Sequence, residues 1–209
     1  MRYSLIMLPF VLVKRTWAWF VDKVAMPMKT YGLSLVWRMK CGRHVRFMGR
    51  TIIRAYQQDA ITIGDNTVFN SCLTRNLVGL LGPTILCACD GGKITVGHDS
   101  GFSSVVINAR TGVSIGNYVN IGGNVRIFDH DFHPLDWQDR RPPQKIEKVR
   151  AKPVIIEDDV FIGTNAIILK GTHIGARSII AAGAVVVGLD VPPDSMVKGN
   201  PAVIVGNRK

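Results

Sequence analysis

The sequence predicts an all-β solenoid of short strands, and three observations support that prediction. Large aliphatic residues recur at every sixth position over long stretches, 47% of the residues are apolar, and glycine fills 21 of the 209 positions. A six-residue period fits neither a 3.6-residue helix nor an ordinary meander of strands. It fits short strands joined by sharp corners, and a chain of this length can form one domain with a sizeable core.

The six-residue ladder is clearest in the C-terminal third of the chain. Its large members are Ile156, Ile162, Ile168, Ile174, Ile180 and Val186, and the residues two positions before them are Val154, Val160, Ala166, Thr172, Ser178 and Ala184. Earlier copies include Ile115, Ile121 and Ile127, ITIGDN from Ile61 and ITVGHD from Ile94. Stacked coils would bury this column continuously, which no single repeat could do. We expect the glycines that follow ladder residues, Gly116, Gly122, Gly163 and Gly175, at corners that need positive φ.

The N-terminal segment, residues 1–40, is expected to be helical. The apolar run Leu5–Val13 is too short to span a bilayer, and no small-residue cleavage site follows it. A helix is predicted from about Pro9 to Ala25, with a narrow polar stripe and an aromatic remainder. Two interpretations stay open: the helix caps the open end of the solenoid, or it lies in a membrane interface. Its aromatic residues are Trp17, Trp19 and Phe20.

Charge and cysteine usage narrow the function classes. The formal net charge of +11 fits an anionic partner such as anionic lipid or a phosphorylated cofactor. No zinc-finger or aromatic RNA-binding motif is present, so nucleic acid is not expected. The four cysteines lack metal-ligand spacing and are expected to be reduced thiols: Cys41, Cys72, Cys87 and Cys89.

Three motifs resemble those of a known family: VSIGNYVNIGGNVRIFDHDFHP, VIIEDDVFIGTNAIILKGTHIG and DVPPDSMVKGNPA. Through them the chain from about Val45 to Lys209 resembles hexapeptide-repeat acyltransferases, and it looks closest to maltose, galactoside and polysaccharide O-acetyltransferases. The resemblance implies a left-handed parallel β-helix over residues 41–209 with one extruded loop. It also implies a homotrimer with acetyl-CoA in a groove between subunits.

The ladder breaks at about residues 129–152, which is the expected active-site loop. Within DHDFHP, His133-Pro134 matches the His-Pro of the family, so the resemblance makes His133 the general base. Neutral imidazole, with an ordinary pKa near 6.5, suits removal of the acceptor proton. His130 is the rival base, and Asp131 or Asp129 could fix the imidazole tautomer. By the same alignment, acceptor contacts are expected at Ser104, Asn108 and Asp129.

The donor side is carried over from the family by position. Phe161 replaces the usual aromatic residue, and Ala182 and Gly183 match small residues that let the thiol arm lie against the backbone. Bases that usually meet the coenzyme A phosphates are missing where Val187–Leu189 and Val203 stand. We therefore expect weak donor affinity or a shifted nucleotide. The candidate substitutes are Lys170, Lys198, Arg208 and Lys209.

The expected function is O-acetylation of a sugar hydroxyl in cell-surface polysaccharide synthesis, in the cytoplasm, with peripheral contact at the inner face of the membrane as an open alternative. Bases of the loop could recognise an acidic acceptor. Alternatives on the same fold are amino-sugar N-acetylation and serine O-acetylation. No metal is expected, although a zinc enzyme resembling gamma-class carbonic anhydrases is a further alternative, with ligands drawn from His98, His130 and His133.

Overall fold

A computed structural model describes residue 13 and residues 16–207 of the chain. The described chain is built mainly of very short strands. Numbered along the chain, they are β1 (Lys40–Cys41), β2 (Arg46–Gly49), β3 (Thr51–Ala55), β4 (Ile61–Ile63), β5 (Val68–Ser71), β6 (Thr84–Ala88), β7 (Lys93–Val96), β8 (Gly101–Phe102), β9 (Val106–Ala109), β10 (Gly112–Ile115), β11 (Asn120–Ile121), β12 (Arg126–Phe128), β13 (Val154–Ile156), β14 (Phe161–Ile162), β15 (Ile167–Leu169), β16 (His173–Ile174), β17 (Ile179–Ile180), β18 (Val185–Val186), β19 (Asp190–Val191), β20 (Ser195–Gly199) and β21 (Ala202–Asn207).

Up to β20, every third strand joins the same sheet, and β21 folds back beside β20. The first sheet has the order β1-β4-β7-β10-β13-β16-β19, the second β2-β5-β8-β11-β14-β17-β20-β21, and the third β18-β15-β12-β9-β6-β3. The strand pairs are parallel apart from the antiparallel pair of β20 and β21. Each circuit of the chain therefore adds one strand to each of three sheets. The result is a three-sided parallel β-helix, which confirms the predicted solenoid.

The predicted ladder forms the core of the column. Its six C-terminal members and the residues two positions before them are at most 1% exposed. The buried hydroxyl of Ser178 donates to the carbonyl of Pro192 at 3.0 Å, so this polar ladder residue is satisfied. In the first coils the side of the column formed by the second sheet is aromatic instead, with Phe47, Phe69 and Phe102 stacked at centroid distances of 4.9 and 4.6 Å. Burial of this continuous column supplies the main stabilisation of the fold.

The corner glycines have a different role from the one expected. None of Gly116, Gly122, Gly163 and Gly175 has a positive φ. A Cβ atom at these four positions would lie 2.2 to 2.6 Å from an atom of the next coil, so the expectation was wrong and close approach is the reason for glycine. In each coil, one residue directly follows the strand of the first sheet at the corner toward the second sheet. The residue two positions after it has a positive φ and carries a side chain: His44, Asn66, Asp99, Tyr118, Asp159 and Arg177.

The N-terminal helix extends further than the sequence predicted. Residues 16–20 are helical, Val21–Ala25 form a π-helical turn, and helix α1 spans Met26–Trp37. The wide π turn precedes Pro27, whose ring would clash with the carbonyl four residues earlier in a regular helix. Leu33 and Trp37 pack against the core of the first coil, so the helix caps that end of the column. Within the described residues, the helices are too short or too polar to cross a membrane.

Two loops leave the column, whereas the sequence suggested one. The expected loop at 129–152 joins the third sheet to the first, and a second loop at 72–83 joins the second sheet to the third. Asn124 fixes the second loop by accepting from the N–H of Leu81 at 2.8 Å and donating to the carbonyl of Gly79 at 3.1 Å. Its apolar side chains nevertheless face outward at Leu73, Leu77, Val78 and Leu81.

We predict that Gly97→Ala destabilises the protein far more than Gly112→Ala. A Cβ on Gly97 would lie 2.5 Å from the carbonyl oxygen of Gly116, whereas a Cβ on Gly112 would meet nothing closer than 4.0 Å. The free energy of unfolding should fall by about 1–3 kcal/mol for Gly97→Ala. It should change by about 0.5 kcal/mol or less for Gly112→Ala. Denaturant titration measures both, and equal losses would contradict this account of the corner.

A second prediction concerns His173, which joins three strands of the first sheet. Its ring nitrogens lie 2.9 Å from Glu157 Oε1 and 2.9 Å from Asp190 Oδ1. The hydrogen bond with Glu157, more than that with Asp190, raises the pKa of His173, and the same bond lowers the pKa of Glu157. The His173 contribution is thus complete below its unfolded pKa and disappears as pH rises through the folded pKa. The Glu157 contribution disappears as pH falls through its own lowered pKa.

The stabilisation should therefore be greatest between about pH 4.5 and 6.5. Thermal unfolding of wild type and His173→Gln, from this range to higher pH, measures it. The difference in Tm should shrink as pH rises above 6.5, and a constant difference would refute the linkage.

Candidate active site

The two limbs of the loop at 129–152 are paired where the loop leaves the column. His130 forms an isolated antiparallel bridge with Ala151, and the N–H of Asp131 donates to the carbonyl of Arg150 at 2.9 Å. The two limbs of the loop are thereby held side by side where they leave β12 and return to β13. The geometry of the loop is fixed at its root by the column.

Asp129 anchors the loop to the coil before it. Its carboxylate is fully buried and accepts hydrogen bonds from the N–H groups of Arg110, Thr111 and Gly112 at 2.8, 2.7 and 2.6 Å. Burial alone would raise the pKa of Asp129, but hydrogen bonds from His130 and this turn outweigh it and hold the pKa below its usual value. The carboxylate of Asp129 is therefore engaged in holding the loop, which does not favour the expected contact between Asp129 and the acceptor substrate.

His130 is packed into the root of the loop. Its Nδ1 lies 2.8 Å from Asp129 Oδ1, its ring centroid lies 4.8 Å from that of Phe132, and the residue is 8% exposed. The carboxylate that the sequence offered as a partner for the base therefore orients His130. Because the ring is covered, His130 is the weaker candidate for a base that must reach an acceptor.

His133 stands exposed on the first limb of the loop. Its Nδ1 lies 3.3 Å from Oε1 of Gln144 on the second limb. With Oε1 of Gln144 facing the ring, the contact is a hydrogen bond for the tautomer that carries its proton on Nδ1, and Nε2 then keeps its lone pair. The position of His133 is compatible with the expected general base, with an amide in place of the expected carboxylate.

Internal contacts brace the loop around His133. Asp139 is 7% exposed and accepts from Lys145 Nζ at 2.8 Å and Lys148 Nζ at 2.7 Å. The hydrogen bond from Lys145 is the first cause of the lowered pKa of Asp139. Arg140 donates to the carbonyl of Pro134 at 3.1 Å, and Arg141 lies 4.4 Å above the ring of Trp137. Four of the bases expected to recognise an acidic acceptor thus make contacts within the loop.

Asp131 and Lys170 form an ion pair between the loop and the column. Asp131 therefore contacts Lys170 and not His133, because it follows Asp129 by two residues on the limb that faces β15. Its second oxygen, Oδ2, is buried and has no partner among the described residues. Lys170 was a candidate ligand for a coenzyme A phosphate, and its engagement with Asp131 favours a role in fixing the loop.

The two expected acceptor residues on the preceding coil differ in availability. Ser104 is 2% exposed, and its hydroxyl donates to the carbonyl of Gly82 at 2.7 Å. It therefore fixes the second loop and is not free for an acceptor. Asn108 points outward from β9, beside Phe128 at the root of the active-site loop. The position of Asn108 is compatible with an acceptor contact.

The donor candidates lie on another part of the surface. Phe161 points outward from β14 and is 48% exposed, at one side of a shallow groove of about 330 Å³ that also contacts Asn70 and Asn120. Ala182 and Gly183 are exposed at the corner between the second and third sheets, and a Cβ on Gly183 would meet nothing within 4 Å. This open corner leaves room for a ligand beside the backbone.

Of the other basic candidates for the donor phosphates, the structure describes Lys198. Lys198 is exposed on β20, where it pairs with Val203 of β21. Arg208 and Lys209 lie outside the described residues. Lys198 is therefore the described candidate that is free to meet a phosphate.

The base and the donor corner are not adjacent within one chain. The loop with His133 leaves the corner between the third and first sheets, whereas Ala182 and Gly183 occupy the corner between the second and third. The structure does not bring the three candidate zinc ligands together. His98 lies at the remaining corner, between the first and second sheets, and its Nδ1 lies 2.7 Å from Asp99 Oδ2. In the part of the chain that the structure describes, no three metal-ligating residues cluster.

Gln144 is the site residue that the sequence analysis missed. It lies eleven positions after His133 in a segment without periodicity, so no local pattern connects the two. A loop that leaves and rejoins the same corner is expected to place its two limbs side by side. That expectation was the only signal that a residue of the second limb would contact His133.

Comparison with known proteins gives both repeat and whole-fold matches. A model of the hexapeptide repeat of succinyl-transferase matches residues 153–187. A 2,3,4,5-tetrahydropyridine-2,6-dicarboxylate N-acetyltransferase of Staphylococcus aureus is 53% identical over 60 residues, which are 29% of this chain and 25% of the relative. The chain therefore matches about a quarter of the length of its curated relatives.

Two solved structures resemble most of the column. A hexapeptide-repeat acetyltransferase from Vibrio cholerae, in complex with acetyl coenzyme A, is 27% identical with a TM-score of 0.58, covering 91% of this chain and 82% of that one. A mutant N-acyltransferase from Bacillus cereus, in complex with dTDP-4-amino-4,6-dideoxyglucose and coenzyme A, is 20% identical with a TM-score of 0.67, covering 86% and 89%. The repeat match and the similar column show that the chain is built of hexapeptide repeats and shares the β-helix fold of these acyltransferases.

Proposed function

We propose that the protein transfers an acetyl group from acetyl-CoA to a sugar hydroxyl in the assembly of a cell-surface polysaccharide. The observation that carries the proposal is His133, exposed on a braced loop with Nδ1 directed at Gln144. The acetyl-CoA complex of the similar Vibrio acetyltransferase supports the choice of donor. The DxDxH form of the loop supports the choice of acceptor class.

The residues suggest direct transfer within a ternary complex. Nε2 of His133 takes the proton from the acceptor hydroxyl as its oxygen attacks the thioester carbonyl. The tetrahedral intermediate then collapses, the C–S bond breaks, and the proton passes to the leaving thiolate. In the neutral ring, a proton on Nδ1 faces the Gln144 oxygen and the lone pair then lies on Nε2, the nitrogen that acts on the acceptor.

Two copies of the chain would complete the site. His133 and the corner of Ala182 and Gly183 lie on different edges of the column, so a neighbouring protomer in a cyclic trimer would bring them together. Phe161 and Lys198 would serve the donor in the same groove. This arrangement places one site at each of three interfaces.

Transfer to an amine is a second candidate function. It is favoured by the N-acetyltransferase of Staphylococcus aureus, which shares 53% identity over 60 residues. The same base would serve both acceptors. A panel of sugars and amino sugars, with thiol release as the readout, distinguishes the two.

We predict that His133→Ala lowers kcat by about 10²–10⁴-fold, the usual contribution of a general base. The KM for acetyl-CoA should change little, because the imidazole acts on the acceptor. Thiol release from acetyl-CoA measures both constants. His98→Ala is the matched control, since it removes an exposed histidine at another corner, and it should retain wild-type activity. A His133→Ala enzyme as fast as wild type would exclude the proposed base.

A second prediction tests whether the site is shared between chains. His133→Ala removes the base, and Ala182→Trp fills the donor corner, so each homotrimer should be inactive. Chains refolded together at equal amounts should regain about a quarter of wild-type activity, because a quarter of the interfaces pair an intact base with an intact corner. The control mixes each variant with itself. If the mixture stays inactive while mixed trimers form, the site is not shared.

A further inference from the structure

A cleft far from the active-site loop lies between the N-terminal helix and the first coils. Its volume is about 640 Å³, and its polar lining includes Lys23, Thr30 and Ser34 from the helix and His44, Arg46 and Asn66 from the coils. Helical spacing brings residues 23, 27, 30 and 34 to one side of the helix, while the coil residues surround the first corner of the column. The cleft is therefore part of the cap and not of the catalytic groove.

The charge of the cleft favours an anion. Lys23, His44 and Arg46 line it, and none of the described lining residues is acidic. The side chains of Lys23 and Arg46 form no ion pair with another described side chain. Two carboxylates lie beside the lining: Asp65 is bound by the main-chain N–H of Arg43 at 2.8 Å and by its guanidinium at 3.1 Å, and Asp99 accepts from Nδ2 of Asn66 at 2.9 Å. Lys23 and Arg46, which pair with neither, leave the cleft with positive charge.

An unsatisfied hydroxyl lies in the same cleft. Thr30 is 7% exposed, and its Oγ1 has no hydrogen-bond partner among the described residues. A buried hydroxyl without a partner is costly, and rotation of the Thr30 side chain toward the cleft would let a ligand oxygen satisfy it. Ser34, one turn later, is already bonded to the carbonyl of Tyr31 at 2.8 Å. The orphaned hydroxyl and the free cations together suit a phosphate group.

The helix surface beside the cleft is apolar and exposed. Met28, Tyr31 and Leu35 share one face of α1 and are 68%, 69% and 66% exposed. Trp17 and Phe20, in the preceding turns, stack at 5.9 Å and are also exposed. Tyr31 belongs both to this apolar face and to the lining of the cleft, so the cleft opens at the border of the apolar surface.

We propose that this cleft binds the phosphate headgroup of an anionic membrane lipid while the apolar face of the helix enters the bilayer interface. Tyrosine and tryptophan prefer the headgroup level, and basic residues are attracted to anionic lipid. Further bases lie in or just before the first coil: Arg38, Lys40, Arg43, Arg50 and Arg54. Of these, Lys40 is paired with Asp59 and Arg43 with Asp65. A soluble phosphate would explain the cations but not the exposed apolar face beside them.

Flotation of the full-length protein with vesicles tests this proposal. Vesicles of phosphatidylglycerol and phosphatidylcholine should bind the protein, and vesicles of phosphatidylcholine alone should bind it much more weakly. Arg46→Gln should lower the affinity for the anionic vesicles about fivefold. Lys93→Gln, which removes an exposed charge on the first sheet away from the cleft, should leave the affinity unchanged. Leu35→Asp should weaken binding by removing apolar contact.

Two further measurements separate lipid from free phosphate and from general charge. Thr30→Val keeps the shape of residue 30 without its hydroxyl, so it should keep the fold and lose part of the preference for anionic vesicles. Soluble glycerophosphate should compete poorly. Equal losses for Arg46→Gln and Lys93→Gln, full competition by glycerophosphate, or unchanged binding by Leu35→Asp would each overturn the proposal. Vesicle binding is read without acetyl transfer, so it fails independently of the proposed catalytic function.

Discussion

The structure depends on the stacking of one coil directly on the next. Parallel strands in constant register place each inward residue above its equivalent in the previous coil, as Ile115, Ile156 and Ile174 show on the first sheet. The same stacking brings successive corner backbones so close that Gly97 and Gly116 have no room for a side chain. Because the core, the corners and the register follow from this one contact, the sequence repeats with a fixed period wherever the column is intact.

The stacked coils also determine where chemistry is placed. The interior is filled and the faces are flat, so polar groups that act on a ligand must stand on corners or loops. Asp129 illustrates how the column supports such a loop. Its buried carboxylate is hydrogen-bonded to the N–H groups of the turn in the preceding coil and to the imidazole of His130. That anchor lets His133, four residues later, project into solvent from a fixed root. The rigid column thus determines where the exposed imidazole of His133 lies.

Features that obey the repeat could be predicted from the sequence, and features formed across the chain could not. The ladder, the solenoid and the loop at 129–152 followed from periodicity and its interruption. The contact of His133 with Gln144 joins two limbs of an aperiodic loop, and the pairing of Asp131 with Lys170 spans 39 positions. The loop at 72–83 was missed because its leucines look like core residues. The helix beyond Pro27 was missed because a π turn accommodates the proline.

The register of the column governs how its length can change. Every coil is hydrogen-bonded to a coil on each side, so a few inserted residues within a strand would shift all later inward positions. Additional residues fit only if they leave at a corner and return to the same place, or if they complete another circuit. Residues 72–83 and 129–152 both do the former. New contacts can therefore be acquired by lengthening a corner, while every other coil keeps its sequence and its neighbours.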